Sequence, residues 1–270
     1  MKRHGRVIEW GVCYDSPMDT TVWLYPALFV TGLAAGFVDA IAGGGGLIAV
    51  PVLLWAGLPP QIVLGTNKLQ SSCGTALAAW HYGRAGLLRW RTLAPGLAVT
   101  FFAAAAGALA VTKIDAAFLR QIIPVLLIGI AVWLWLKPDL GAQPRPPRMS
   151  ASGFAVLFGI AFGFYDGFFG PGTGSFWMIA CILLLGLDLS AATGHTKAMN
   201  LASNLGALAV FLSVGKVRYD IGAVMIAGQL IGARLGSGMV ISRGTQFIRP
   251  IFLTVVLALA ARLIWQNLRG

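Results

Sequence analysis

Two aspartates lie where apolar side chains would surround them. Asp39 sits in GFVDAIAGGGG and Asp166 in GFYDGFFGPGTGS, each four residues ahead of the first glycine of a glycine-rich stretch. A carboxylate inside an apolar run is expensive to bury; it marks an ion path, a proton relay or a cap on a broken helix. Two readings stay open for this pair: titrating or gating groups, or acceptors for backbone N–H groups that never titrate. The stretches that follow, Gly43, Gly44, Gly45 and Gly46 in one case and Gly170-Pro171-Gly172-Thr173-Gly174 in the other, break the apolar runs at matching places. A break frees backbone polar groups, which an apolar medium tolerates only where they face a cavity or a ligand. The helix that restarts after it aims its positive end at that place, which suits an anion. The alternative is that the glycines only let helices approach closely. No Lys-Ser/Thr follows either stretch, so a phosphate loop of the nucleotide-binding kind is excluded.

A second matched pair is Gly65-Thr66-Asn67-Lys68 and Gly194-His195-Thr196-Lys197. Each lysine is expected to open a moderately polar helix. Lys197, Asn200 and Asn204 fall on one helical face, as do Lys68, Ser71, Ser72 and Thr75. Such a stripe lines water or a solute more readily than lipid, and an ammonium group with three donors suits an oxyanion. The alternative is a lysine that snorkels to the interface. The candidate substrate-binding set is Gly43, Gly44, Gly45, Gly46, Asn67, Lys68, Gly172, Thr173, Gly174, Lys197, Asn200 and Asn204. The candidate coupling or gating set is Asp39, Asp166, His195 and Arg234. His195 has no counterpart in the first half, where Thr66 stands; it is either a group titrating near neutral pH or a structural residue. Arg234, mid-run, is expected to face the bundle or water, binding substrate or pairing with an aspartate. Cys13, Cys73 and Cys181 are dispersed and the histidines are three, so neither a metal nor a cofactor is expected. No HExxH motif or Ser/His/Asp set points to an enzyme.

The scaffold these residues need is apolar. Of 270 residues, 57% are hydrophobic and 11% charged, against about 25% charged in a soluble domain, and the mean hydropathy is +0.79. A disordered chain is excluded and a soluble enzyme disfavoured. The net charge of +11 reflects scarce acids, and the bases sit between apolar runs, as in loops held on the cytoplasmic side of a membrane. Nucleic acid is therefore not an expected partner; the lipid bilayer is. The expected fold is an all-α polytopic membrane protein of about eight transmembrane helices plus short broken or re-entrant segments, in two repeated halves. The boundaries are a polar cytoplasmic tail at 1–21, a first membrane repeat at 22–136, a proline-rich linker at 137–150 and a second repeat at 151–270. The repeat rests on ordered matches: Asp39 with Asp166, Gly43 with Gly170, then, two residues further offset, Lys68 with Lys197, Arg89 with Arg218 and Arg120 with Arg249. If the short runs at 47–57 and 173–186 dip in and return, the halves are parallel, and the tail and the loops bearing Arg84, Arg89, Arg91, Lys216 and Arg218 share the cytoplasmic side. The rival counts the short runs as crossings, inverts the halves and puts the tail and the Arg84–Arg91 loop on opposite sides. The parallel arrangement is the expectation. Tryptophans and tyrosines near segment ends (Trp23, Tyr25, Trp80, Tyr82, Trp90, Tyr219) read as interface anchors. Gly228, Gly232 and Gly236 suit close helix contact, either inside the chain or in a homodimer.

On Gly36–Pro51, Thr66-Asn67-Lys68-Leu69-Gln70 and Gly163–Ser175, the chain resembles the TauE/SafE family of sulfite-exporter-type permeases, most of all its YfcA-type inner-membrane members. The resemblance covers about residues 26 to 268. It implies a multi-pass transporter of the bacterial inner membrane and substrates that are small sulfur-containing anions such as sulfite and organosulfonates. The function so implied is a secondary transporter working by alternating access with a proton or other coupling ion. An anion channel and a membrane-embedded enzyme are the alternatives.

Overall fold

The computed structural model describes residues 21–88, 90–135 and 146–243. The expected tail, most of the linker and the last apolar run, 250–268, lie outside them. Among the described residues the regular structure is helical: α1 (Thr21–Ala42), α2 (Gly45–Trp55), α3 (Pro60–Arg84), α4 (Trp90–Thr112), α5 (Ala116–Trp135), α6 (Ala151–Phe168), α7 (Thr173–Leu184), α8 (Leu189–Ser213) and α9 (Tyr219–Arg243). Four of them, α1, α4, α6 and α9, are long and apolar enough to cross a membrane; α2, α5 and α7 carry shorter apolar stretches. The protein is a multi-pass, all-α membrane protein.

Local chemistry sets the ends of the two polar helices. Pro60 occupies the first turn of α3, where its missing N–H costs nothing. Asp188 caps α8, accepting from the N–H groups of Ser190 and Ala191 at 2.9 and 3.0 Å. Lys68 and Lys197 therefore stand more than two turns inside their helices, not at the heads where sequence placed them. The burial of both side chains also removes snorkelling as an account of either.

Bare backbone lets the long helices meet. Gly228 and Gly232 of α9 leave no room for a Cβ against Phe29, Leu33 and Phe37 of α1, so this glycine stripe serves a contact within the chain. Gly163 and Gly167 of α6 sit likewise on Thr100 and Ala104 of α4.

The registers of these contacts give the helix directions. Along α1 and α9, 32 meets 225 and 36 meets 229; along α3 and α9, Leu69 meets Gly222 and His81 meets Ser237. So α1, α3 and α9 point one way. Along α4 and α6, 96 meets 155 and 104 meets 167; along α4 and α8, 96 meets 199 and 101 meets 206. Along α3 and α8, 65 meets 211 and 68 meets 204, so α8, α4 and α6 point the other way. Because α1 and α3 are parallel, α2 must run back between them. The parallel arrangement expected from sequence is thereby corrected: helices at matching positions of the two halves, α1 with α6, α3 with α8 and α4 with α9, are opposed. Loop charge misled because it could not show that an 11-residue helix returns the chain.

Two further expectations change. Tyr82 is no interface anchor; it is buried and its hydroxyl donates to the Ala40 carbonyl at 2.9 Å, whereas Trp23, Trp80, Trp90 and Tyr219 are exposed. Arg234 faces outward from α9, on the side of His81, and forms no ion pair among the described residues.

In a chain whose own cysteines are replaced by serine, Ala85→Cys and Lys216→Cys should react with a membrane-impermeant maleimide from opposite sides of the membrane. Labelling of both from one side would restore the parallel arrangement.

Candidate functional site

The centre of the molecule is the antiparallel contact of α3 and α8, the two 25-residue helices outside the strongly apolar set. Their polar stripes face inward: Lys68, Ser71, Ser72 and Thr75 on α3 and Lys197, Asn200, Ser203 and Asn204 on α8 are all buried. Some hydroxyls satisfy themselves on the preceding turn, as when Ser72 donates to the Lys68 carbonyl and Thr75 to that of Ser71, both at 2.7 Å.

The charges cannot do this. Lys68 is 2% exposed and Lys197 0%, and each finds the aspartate from the other half of the chain. Lys68 Nζ lies 2.8 Å from Asp166 Oδ1, and Lys197 Nζ lies 3.1 Å from Asp39 Oδ2. A lone charge in a low-dielectric interior is costly, and a paired one much less so. Antiparallel placement of α3 and α8 makes the crossing possible, since each lysine is carried to the end of the helix, α1 or α6, that holds the other half's aspartate. The remaining capacity is filled from nearby. Lys68 donates to Asn204 Oδ1 at 3.0 Å, Ser203 donates to Asp166 Oδ2, and the Gly45 N–H at the start of α2 reaches Asp39 Oδ1 at 3.4 Å. Of the two readings of the aspartates, Asp39 shows the acceptor for the break, and it is an ion-pair partner besides.

The two breaks touch each other. Gly43 has φ +73°, a backbone conformation that side chains with a Cβ rarely adopt, and a Cβ there would overlap the Gly174 backbone. Gly172, with φ +83°, caps α7. Ser175, in the first turn of α7, donates to the Ala42 carbonyl at the end of α1 at 2.7 Å, tying the breaks together. Gly44 caps α2, and Gly45 and Gly46 belong to its first turn. A Cβ at Gly46 would lie 3.4 Å from Asn67 Nδ2, and one at Gly174 2.7 Å from Asn200 Nδ2. Two helix N-termini, two carboxamides and two ion pairs thus converge. Thr173 turns its hydroxyl onto the Gly170 carbonyl at 2.6 Å. His195 is half-buried on α8, two residues before Lys197, and Arg234 lies outside the cluster.

Five polar atoms in buried side chains of α3 and α8 or their neighbour α9 lack partners: Gln70 Oε1, Thr196 Oγ1, Asn200 Oδ1 and both ends of the Gln229 carboxamide. Sequence reasoning missed Ser203 and Gln229 as site residues. For Gln229 a signal existed, a lone carboxamide in an apolar span; for Ser203 the hydroxyl was visible but its carboxylate partner was not.

An occluded cluster of paired charges between broken helices is an arrangement suited to a membrane transporter. The chain is a member of the TauE/SafE family: the sulfite exporter TauE/SafE family profile matches residues 28–263. It is 41% identical over 250 residues to a probable membrane transporter protein of Haemophilus influenzae, covering 93% of this chain and 98% of that one. It is 42% identical over 244 residues to the probable membrane transporter protein YfcA of Escherichia coli, covering 90% and 91%. The probable membrane transporter protein YdhB of Bacillus subtilis is more distant, 26% identical over 216 residues, covering 78% and 86%. No solved structure matches the chain.

Gly57 offers a control for the break. It too has positive φ, +83°, but a Cβ there meets nothing within 4 Å. Gly57→Ala should cost about 1–2 kcal/mol of conformational strain. Gly43→Ala adds the collision with Gly174 and should lower the melting temperature in detergent distinctly further. Equal shifts would mean that the breaks do not touch.

Proposed function

We propose that the chain is a secondary transporter carrying small anions of the sulfite or organosulfonate type across the bacterial inner membrane by alternating access. The observation that carries this reading is the pair of crossed, buried ion pairs beside two touching helix breaks. The α2 and α7 N-termini supply positive potential, and the Asn67 and Asn200 carboxamides supply donors, both suited to oxyanions. The substrate class comes from the family's name, sulfite exporter. Lys68 and Lys197 serve the anion only in competition with their aspartates, so binding and opening are linked.

Alternating access is supported by the opposed directions of matching helices. Two halves that arose by duplication and sit inverted can exchange conformations, turning an outward-open arrangement into its inward-open counterpart. Burial of all four charges fits an occluded state between the two. Domain boundaries follow the same reading, with helices up to α5 as one repeat and those from α6 onward as the other. The face bearing Arg84 and Arg148 is the cytoplasmic one on the positive-inside rule, since the sequence joining α3 to α4 and α5 to α6 also carries Arg89, Lys137 and Arg145, against Lys113, Lys216 and Arg218 in the connections of the other face. With that face inside, α1 starts on the outer face, the reverse of the sidedness expected for the tail.

Thermal-shift measurements on purified protein with sulfite, sulfoacetate, taurine and sulfate should show stabilisation by at least one of these sulfur compounds. The shift should be lost in Asn67→Ala and Asn200→Ala. In proteoliposomes the same anion should move with saturable kinetics and follow a pH gradient. Conductance without saturation or coupling would make the protein a channel, and no stabilisation by any of the four would remove the substrate class.

A further inference from the structure

The two ion pairs are supported unequally. Asp166 is held by Lys68 and by the Ser203 hydroxyl, and Lys68 has a second acceptor in Asn204. Asp39 has Lys197 and a long contact from the Gly45 N–H. Sequence explains the difference. The offset that matches Lys68 with Lys197 matches Ser203 with Gly74 and Asn204 with Thr75, and the Thr75 hydroxyl is directed to the Ser71 carbonyl at 2.7 Å.

The space left by Gly74 is taken by a side chain from another helix. A Cβ at Gly74 would lie 2.6 Å from Gln229 Cγ and 2.9 Å from its Cδ. Gln229 is 0% exposed, and neither its Nε2 nor its Oε1 has a partner. A carboxamide thus stands idle where, in the better-supported pair, a hydroxyl holds the carboxylate.

The groups facing Asp39 are few. Lys197 comes from α8 and Tyr82, which donates to Ala40, from α3. Helix α2 has no ionisable residue, α7 has only Cys181, and on α9 the Gln229 backbone packs on Gly36, one turn before Asp39, while Arg234 is exposed. Asp166 acts on Lys197 from a distance but is itself held by Lys68.

We infer that an anion enters this site together with one proton, displacing Asp39 from Lys197, and that the protonated Asp39 then donates to Gln229 Oε1. The inference rests on the transport reading above and follows from charge balance. At rest Lys68, Lys197, Asp39 and Asp166 sum to zero. An added anion on Lys197 leaves the Asp39 carboxylate uncompensated in a buried place, which is prohibitive. A proton taken from water onto that carboxylate restores neutrality, and the new O–H needs an acceptor, which Gln229 supplies. Asp166 does not take this part, because its oxygens are already engaged by Lys68 and Ser203. Gln229 is a positioning residue in this scheme.

The test uses the purified full chain and methanesulfonate, which stays singly negative throughout the pH range. Wild-type affinity should weaken about tenfold per unit rise in pH, as uptake of one proton requires. Asp39→Asn should flatten that slope, and Gln229→Met should weaken binding. In the absence of ligand, Gln229→Met should melt at or above the wild-type temperature, since it removes only unbonded polar atoms, and Ser203→Ala should melt below it. A flat wild-type slope, a slope kept in Asp39→Asn, or a Gln229→Met that melts as low as Ser203→Ala overturns the inference. Failure of the wild type to bind methanesulfonate at any pH removes organosulfonates from the substrate reading, and the inference falls with them.

Discussion

Four charges in an apolar interior have to be cancelled, and the way they are cancelled organises the rest of the molecule. Each lysine is paired with the aspartate that lies in the other half of the chain. Pairing within one half would leave the halves joined by helix packing alone, in a medium that offers no hydrophobic force to hold them. Crossed pairing makes each half supply the counter-charge of the other. The polar stripes of α3 and α8, the breaks that follow α1 and α6, and the caps that position α8 all serve that exchange.

Close packing complements it. Helices without side chains at the contact, α9 on α1 and α6 on α4, hold the outer elements by contact of backbone with backbone. The charged centre can then stay buried while the frame around it remains fixed. The breaks are the places where rigid helix ends meet at single glycines, and there the molecule combines freed backbone, helix-end potential and charge. A solute that loosens one ion pair acts directly on the junction of the two halves.

Much of this was legible in the chain. Asp39, Asp166, Lys68 and Lys197 stood out because ionisable groups in apolar surroundings are rare, and the glycine breaks because they recur at matching positions. What sequence did not reveal was direction. An offset between two similar stretches is the same number whether the halves lie parallel or inverted, and apolar periodicity has no arrow. The short α2 was read as a dip because eleven residues look too few to return the chain. The polar start of α3 was missed because residues 60–66 look like a loop ahead of Lys68, although Pro59-Pro60 is a helix-opening signal. The partner of each lysine was likewise unreadable, since only the folded crossing defines it.

The most direct measurement is a pair of double-mutant cycles on melting free energy in detergent. One cycle combines Lys68→Met with Asp166→Leu, the other Lys68→Met with Asp39→Leu. Crossed pairing predicts a coupling of about 1–3 kcal/mol in the first cycle and a distinctly smaller one in the second, where the Lys197 and Asp166 left behind act on each other only from a distance. Strong coupling between Lys68 and Asp39, with none between Lys68 and Asp166, would contradict it.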